Sequence, residues 1–307
     1  MNIIIVNPVA GKGKAAKMYR RIQRDHSYKA ENCRAFFTQE EGHAERIARQ
    51  VTEIYQDTLS SIIVLGGDGT LHEVVNGARS YPSIPICFLP AGTGNDFARG
   101  LGLRERGLPL FRNMIRRPRI HQLRLGCYDL HGRKRNGTRL FLNSIGFGLD
   151  GRIAGRVTKS RNKGNRRLFS SLTYPAALLA SIRNSAPITV DLDIDGVFYP
   201  GREIMMLTIA NHPYFGGGMK IAPHADLTKG EFELLILDPI SKRKLAVLFF
   251  SVFTGWHARI KEVHLIKAKR VKITSRAAVP FQVDGQAGET YTCTIEKAPS
   301  KSMIAGD

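Results

Sequence analysis

Ile62-Ile63-Val64-Leu65-Gly66-Gly67-Asp68-Gly69-Thr70 is the stretch that decides the fold. Four apolar residues in a row, without polar alternation, read as a strand buried on both faces, the pattern of a parallel sheet. The glycines that follow let the backbone take positive φ and approach a ligand closely, so successive amide N–H groups can turn towards an anion. Thr70 reads as the N-cap of a helix over 71–80, with Glu73 at the spacing of a capping box. Such a helix would begin at the corner and present the positive end of its dipole to bound phosphates. A carboxylate at Asp68, among groups that attract anions, points to Mg²⁺; the plainer reading is a solvated aspartate in a tight strand-to-helix turn.

The same punctuation occurs on either side. Ile3-Ile4-Ile5-Val6 runs into Asn7-Pro8-Val9-Ala10-Gly11, and an apolar run over 84–89 leads to Ala91-Gly92-Thr93-Gly94-Asn95-Asp96-Phe97-Ala98. Three such corners at the carboxyl ends of strands make the kind of crevice in which an open α/β sheet binds its ligand, read here as a nucleotide phosphate. Helical patterns over 14–24, 43–55, 71–80 and 109–116 separate the strands, so residues 1–122 are expected to form an open parallel α/β domain. Gly11-Lys12-Gly13-Lys14 looks like a phosphate loop but lacks the G-x-x-x-x-G-K-[ST] spacing, and is not read as a Walker site.

Beyond about residue 120 the period changes. Turn signals recur at Asp129-Leu130-His131-Gly132, Asp195-Gly196, Asn211-His212-Pro213, Lys229-Gly230 and Asp284-Gly285. Ile188, Val190, Leu192 and Ile194 alternate as in a strand with one buried face, and 205–209 and 232–237 also suit strands. Residues 123–293 are therefore expected to form a mainly antiparallel β-sandwich domain, with helical segments over 170–183 and 242–254.

A chain of 307 residues with 43% hydrophobic content can bury one large core or two ordinary ones. No apolar run reaches the roughly 20 residues needed to cross a bilayer. The start of the chain reads directly as a strand, so no secretory leader is expected. Cys33, Cys87, Cys127 and Cys293 lie far apart without metal spacing and suit packing in a reducing compartment, so a cytoplasmic location is expected. The formal charge of +20 calls for an anionic partner. No zinc spacing, basic heptad or aromatic-interleaved basic strand points to nucleic acid, which leaves the anionic face of a membrane. The densest basic stretch, with Arg152, Arg156, Lys159, Arg161, Lys163, Arg166 and Arg167, holds no acidic residue from Gly151 to Arg167 and is read as the membrane contact, against a solvated loop. Arg112, Arg116, Arg117 and Arg119 read as decoration of an exposed helix face.

In order and spacing, the corners resemble those of the diacylglycerol kinase-type lipid kinases, the bacterial branch related to sphingosine kinases. The resemblance rests on Gly66 to Thr70 with Asn76-Gly77, and on Gly92-Thr93-Gly94-Asn95-Asp96-Phe97-Ala98. It continues through Asn143-Ser144-Ile145-Gly146-Phe147-Gly148 and Gly216-Gly217-Gly218-Met219-Lys220-Ile221-Ala222-Pro223 to Val283-Asp284-Gly285, nearly the whole chain. It implies an active site in the cleft between the two domains, a tail (294–307) returning to the first, and ATP·Mg²⁺ as phosphoryl donor. By the same resemblance Asn7, Pro8, Ala10, Gly11, Thr38, Gly66, Gly67, Asp68, Gly69, Thr70, Glu73, Gly92, Thr93, Asn95 and Asp96 border the nucleotide, with Lys12 or Lys14 reaching its phosphates. Asp68 and Asp96 would assist the metal; Asp96 equally suits a helix cap.

The resemblance implies Asp284 as the base for a lipid hydroxyl, although Asp-Gly by itself reads as a hairpin turn. Two positions depart from the family pattern. Related chains read Asp-Gly-Glu where this one reads Asp284-Gly285-Gln286, and Asp-Gly where it reads Lys229-Gly230. Lys229 is therefore expected in the role of a missing structural Mg²⁺, with Asp226 and Glu231 as its partners. Tyr214, Phe215, Met219, Phe147 and Leu149 suit either an acyl-chain lining or the core. Diacylglycerol is the acceptor the resemblance implies; sphingoid bases, ceramides, monoacylglycerol and glycolipids stay open. Rival readings are an NAD kinase or phosphofructokinase with a related Gly-Gly-Asp corner, and a non-catalytic nucleotide- and membrane-binding regulatory relative. A homodimer is possible.

Overall fold

A computed structural model of the chain describes residues 1–131, 137–162, 186–252 and 254–306. It divides into two compact units, 1–125 with 298–307, and 126–297. The expected boundaries at 122 and 293 shift because secondary structure runs through them. Cys293 lies inside a strand that continues to Lys297, and only then does the Ala298 N–H donate to the Leu125 carbonyl at 2.8 Å.

The first unit is built, in chain order, from β1 (Asn2–Val6), α1 (Ala10–Gln23), α2 (His26–Ala30), β2 (Cys33–Phe37), α3 (His43–Tyr55) and β3 (Ser61–Gly66). There follow α4 (Asp68–Gly77), β4 (Ile86–Pro90), α5 (Asp96–Gly100), α6 (Gly107–Arg116) and β5 (Arg119–Leu123), and the chain end returns as β18 (Ser302–Gly306). Its sheet has the order β2-β1-β3-β4-β18-β5. All neighbours run parallel except β18 and β5, which are antiparallel. The unbroken apolar runs have the cause read from sequence: every residue of β1 and β3 is buried. Ile4, Val6, Ile63 and Leu65 pack with Ala15 and Ile22 of α1 and with Leu110, Phe111 and Met114 of α6. β2 is an edge, and Phe36 and Phe37 are correspondingly exposed. Arg112 and Arg116 do more than decorate α6: they reach Asp25 and the Ser27 hydroxyl at the start of α2.

The second unit contains β6 (Gly126–Asp129), β7 (Arg139–Phe141), β8 (Ser144–Gly148), α7 (Leu149–Asn162), β9 (Ile188–Ile194), β10 (Val197–Ile204) and β11 (Met206–Ala210). After them come the short pair β12 (Tyr214–Phe215) and β13 (Met219–Lys220), then β14 (Phe232–Leu237), α8 (Lys242–Ser251), β15 (Val263–Ala268), β16 (Arg270–Val283) and β17 (Gln286–Lys297). The large sheet is antiparallel, in the order β15-β14-β11-β8-β16-β17-β6-β7, with the β9–β10 hairpin joined to β16. β16 pairs first with β9 and, after a register shift between Thr274 and Val279, with β8. Phe141 stacks on Phe232 and Phe147 on Phe281, with ring centroids 5.8 and 6.1 Å apart, inside the main core. A second cluster lies beneath α8, whose Leu245, Leu248 and Val252 join Leu235 and Leu237 of β14.

Candidate active site

The three glycine corners stand at the carboxyl ends of β1, β3 and β4, which are neighbours in the sheet. Strand order reverses between β1 and β3, so the first two corners flank a topological switch point. The corners also lock onto one another. A Cβ on Gly11 would stand 2.0 Å from the Ala91 carbonyl oxygen, and one on Gly92 would stand 2.7 Å from the Gly67 Cα. Asn7 Nδ2 donates to Thr70 Oγ1 at 3.0 Å, tying the first corner to the second. The third corner closes on itself: the Gly92 N–H donates to Asn95 Oδ1 and Asn95 Nδ2 to the Gly92 carbonyl, both at 3.0 Å, with Asn95 at φ 54°.

Gly11, Lys12 and Gly13 follow one another at φ 59°, 59° and 85°. This left-handed run is free for glycine and costs Lys12 about 1 kcal/mol. No side chain caps α4 at Gly67, the arrangement in which a helix N-terminus receives an anion. Gly66 is packed against Thr70, whereas Gly69, in the first turn of α4, is exposed and has nothing within 4 Å of a Cβ position. Pro8 and Ala10 are half-buried in the first corner, and Thr93 is exposed in the third. These residues fit a polyphosphate.

Several residues of this region have partners that the sequence reading did not include. The capping box is absent. α4 begins at Asp68, so Thr70 lies within its first turn, and Glu73 Oε2 accepts the Ala44 N–H at the start of α3 at 3.0 Å. Asp68 has a structural task, since its two oxygens accept the N–H groups of Asp96 and Phe97 at 3.1 Å and cap α5. Asp96 is buried and pairs with Arg99 at 2.7 Å. Thr38 is buried beyond the end of β2, its N–H donating to the Val6 carbonyl at 2.9 Å. Asp68 and Asp96 thus face protein donors, and no group of three or more His, Cys, Asp or Glu among the described residues could hold a metal.

In the second unit Asp284 and Gly285, at φ 46° and 86°, form the two-residue turn between β16 and β17, with Val283 opposite Gln286. The Asp284 carboxylate accepts the N–H groups of Leu142 and Asn143 at 2.8 Å and of Ser144 at 3.2 Å. Gln286 is exposed. Behind the turn lies a buried polar chain that no motif in the sequence marks. Gln282 Oε1 accepts the Gly285 N–H at 2.8 Å, and its Nε2 donates to Asp150 Oδ2 at 3.1 Å. Thr208 Oγ1 donates to the same oxygen at 3.1 Å. Burial pushes the Asp150 carboxyl up to about 6. Asn211 Nδ2 holds the carbonyls of Phe141 and Leu142, and His212 Nε2 donates to Asn143 Oδ1 at 2.8 Å while its Nδ1 accepts the Tyr214 N–H. Phe147 and Leu149 are core residues, as is Met219, so the structure assigns them to packing rather than to an exposed lining.

The expected Lys229 arrangement is not the one observed. Glu231 pairs with Lys267 at 2.8 Å, and Asp226 accepts the Thr228 N–H and hydroxyl at 2.8 and 2.7 Å, which hold its carboxyl below the usual range. The half-buried cation beside this pair is Lys297. Its Nζ donates to Asn211 Oδ1 at 2.8 Å and lies 4.4 Å from the Phe232 ring centroid. Burial lowers its pKa to about 8, against the attraction of Asp226 and Glu231. With Lys229, Lys267 and Lys297 around two carboxylates, these residues do not fit a divalent cation. Of the expected membrane residues, Arg156 is half-buried on α7, a helix rather than a loop, and Lys159 and Arg161 belong to its last turns. Lys163, Arg166 and Arg167 lie outside the described residues, as does the helix expected over 170–183.

Comparison with known proteins places this geometry. Residues 2–127 match the diacylglycerol kinase catalytic domain family, and residues 143–305 match the YegS C-terminal NAD kinase beta sandwich-like domain family. The chain is 30% identical over 305 residues to YtlR of Bacillus subtilis, provisionally named a lipid kinase, covering 98% of this chain and 97% of that protein. A Staphylococcus aureus (strain JH9) protein with the same provisional name is 26% identical over 279 residues, 87% of this chain and 84% of that one. A Bacillus anthracis structure provisionally described as a diacylglycerol kinase superposes with TM-score 0.76 at 21% identity, covering 100% and 95% of the two chains. An ATP complex of an Archaeoglobus fulgidus NAD kinase shares the fold more distantly, with TM-score 0.53 at 14% identity over 99% and 93%.

Proposed function

The chain belongs to the diacylglycerol kinase-type family of lipid kinases, and on that premise we propose that it transfers the γ-phosphoryl of ATP to a lipid hydroxyl, with a diacylglycerol-like acceptor. The observation that carries this reading is the mutual locking of the three corners at the ends of β1, β3 and β4. In it, Gly11 to Gly13 and the uncapped start of α4 receive the phosphates, and Lys12 and Lys14 add positive charge. Mg²⁺ would come bound to ATP and neutralise its phosphate oxygens; the described residues offer no group of three or more His, Cys, Asp or Glu to hold it.

Phosphoryl transfer depends mainly on positioning and charge neutralisation. The acceptor oxygen bonds to the γ-phosphorus, the bond to the bridging oxygen breaks, ADP leaves, and the hydroxyl proton passes to a base. We assign that base to Asp284, held in one direction by three backbone amides. Gln286, two residues on, cannot take a proton at neutral pH.

Transfer from labelled ATP·Mg²⁺ to a panel of diacylglycerol, monoacylglycerol, sphingoid base, ceramide and glycolipid tests the assignment, with NAD and soluble sugars as controls. Label on one lipid class supports it and names the acceptor. Label on NAD would replace the reading with an NAD kinase. ATP binding without any transfer would replace it with a non-catalytic relative, the alternative that Gln286 and the lysines around Asp226 favour.

A further inference from the structure

α8 satisfies its folding requirement with one stripe: Leu245, Leu248 and Val252, at spacings of three and four, are buried in the core beneath it. Its opposite stripe carries apolar side chains as well, beside a cation. Arg243, Val247 and Phe250 follow at i, i+4 and i+7, and Val247 and Phe250 are 65% and 75% exposed. Trp256, in the 3₁₀ turn after α8, is 64% exposed. That turn is anchored from within by His257, fully buried, whose Nε2 bonds the Ile221 carbonyl at 2.9 Å. Single exposed apolar residues are ordinary; three large ones on one helix stripe and the turn after it are not explained by folding.

The surrounding charge names the partner. Residues 241–261 hold Lys242, Arg243, Lys244, Arg259 and Lys261 and no Asp or Glu. Arg259 lies over the Trp256 ring, 5.0 Å from its centroid, and Lys244 pairs with Glu262. Cations around exposed Val, Phe and Trp side chains are the composition of a helix that lies in a membrane interface, with the indole at headgroup level and the cations on anionic lipid. A second copy of this chain fits poorly, because a two-fold contact would set these five cations against themselves.

We propose that the outer stripe of α8 together with Trp256 docks the enzyme on an anionic lipid bilayer. The choice of a bilayer rests on the lipid kinase reading, which gives the enzyme its reason to be at one.

Trp256 is the sole tryptophan of the chain, so its fluorescence reports the contact directly. The full-length protein is titrated with vesicles of phosphatidylcholine alone and of phosphatidylcholine with phosphatidylglycerol, following emission and co-sedimentation. Expected are a blue shift and binding on the anionic vesicles only, weakened by salt. Phe250→Ser should lower partitioning about tenfold and Arg243→Ala roughly fivefold, with circular dichroism unchanged. Both variants should phosphorylate a short-chain diacylglycerol dissolved as monomers at the wild-type rate. An unshifted Trp256 spectrum, or unaltered partitioning of Phe250→Ser, would overturn the proposal. So would a wild-type dimer in sedimentation velocity that Phe250→Ser disperses, which assigns the face to a second copy. Absence of phosphorylation of any monomeric acceptor by wild type would strike the kinase reading alone, and the vesicle data would still judge the docking surface.

Discussion

Asp195-Gly196 and Asp284-Gly285 are nearly the same object in two places. Each is a two-residue hairpin turn with both residues at positive φ, 51° and 88° in the first and 46° and 86° in the second. In each, the residue two before the aspartate accepts the glycine N–H, Asp193 at 2.9 Å and Gln282 at 2.8 Å. In each, the aspartate N–H donates at 3.0 Å to a neighbouring strand or loop, to Arg270 and Ser144 respectively. Each carboxylate then accepts amides from that neighbour: Lys269 and Arg270 for Asp195, and Leu142, Asn143 and Ser144 for Asp284. The difference is what lies behind. Asp193 is half-exposed, whereas Gln282 is fully buried and continues through Asp150 to Thr208. The pair teaches that amide capture by an aspartate is in itself a structural device, so Asp195 is an internal control for the role proposed for Asp284.

The largest effect expected from the comparison is on activity. Asp284→Asn should lower kcat/KM about 10²- to 10⁴-fold, the worth of a general base, while Asp195→Asn should leave it unchanged. Equal losses in steady-state assays would reduce Asp284 to a clamp.

The buried chain behind Asp284 should appear as pH dependence. Because the Asp150 carboxyl titrates near 6 when folded, the folded state binds more protons than the unfolded one between about pH 4 and 6. The stability this group contributes is full below that window and lost as pH rises through it, on the order of 3 kcal/mol in all. Urea unfolding of Asp150→Asn across pH 4 to 7 should lack that decline relative to wild type; parallel curves would remove Asp150 from the account.

A smaller effect tests the likeness itself. Each Asn variant turns an NH₂ group towards backbone amides, so both should lose about 1–2 kcal/mol, measured as matching shifts of the denaturation midpoint. A loss confined to one turn would break the analogy. Smallest of all, Gln286→Glu should change kcat/KM less than about threefold, because Gln286 is exposed and the base is assigned to Asp284. A rise of about 10² would move the base to position 286.

What the sequence disclosed follows the same division between local and distant causes. β1, β3 and β4 were legible because burial on both faces leaves an unbroken apolar run, and their corners because glycine is required where Gly11 meets Ala91 and Gly92 meets Gly67. The turn at Asp284 was legible as a hairpin for the same local reason. The capping box at Glu73 is absent because the partner of Glu73, the Ala44 amide, belongs to another helix, and the capping task of Asp68 was hidden because the start of α5 lies 28 residues on. Lys297 was invisible for a related reason. A lysine near the chain end reads as surface, and only the fold brings it to Asn211 and the face of Phe232. The exposed stripe of α8 was read only as part of a helix, since the sequence does not say which of its two apolar stripes the core takes.

One assay bears most directly on the account: transfer of labelled phosphoryl from ATP·Mg²⁺ to monomeric short-chain diacylglycerol by wild type, Asp284→Asn and Asp195→Asn in parallel. Transfer by wild type and Asp195→Asn, with collapse in Asp284→Asn alone, is the predicted result. Transfer that survives in Asp284→Asn, or its absence in all three with ATP bound, would contradict the assignment.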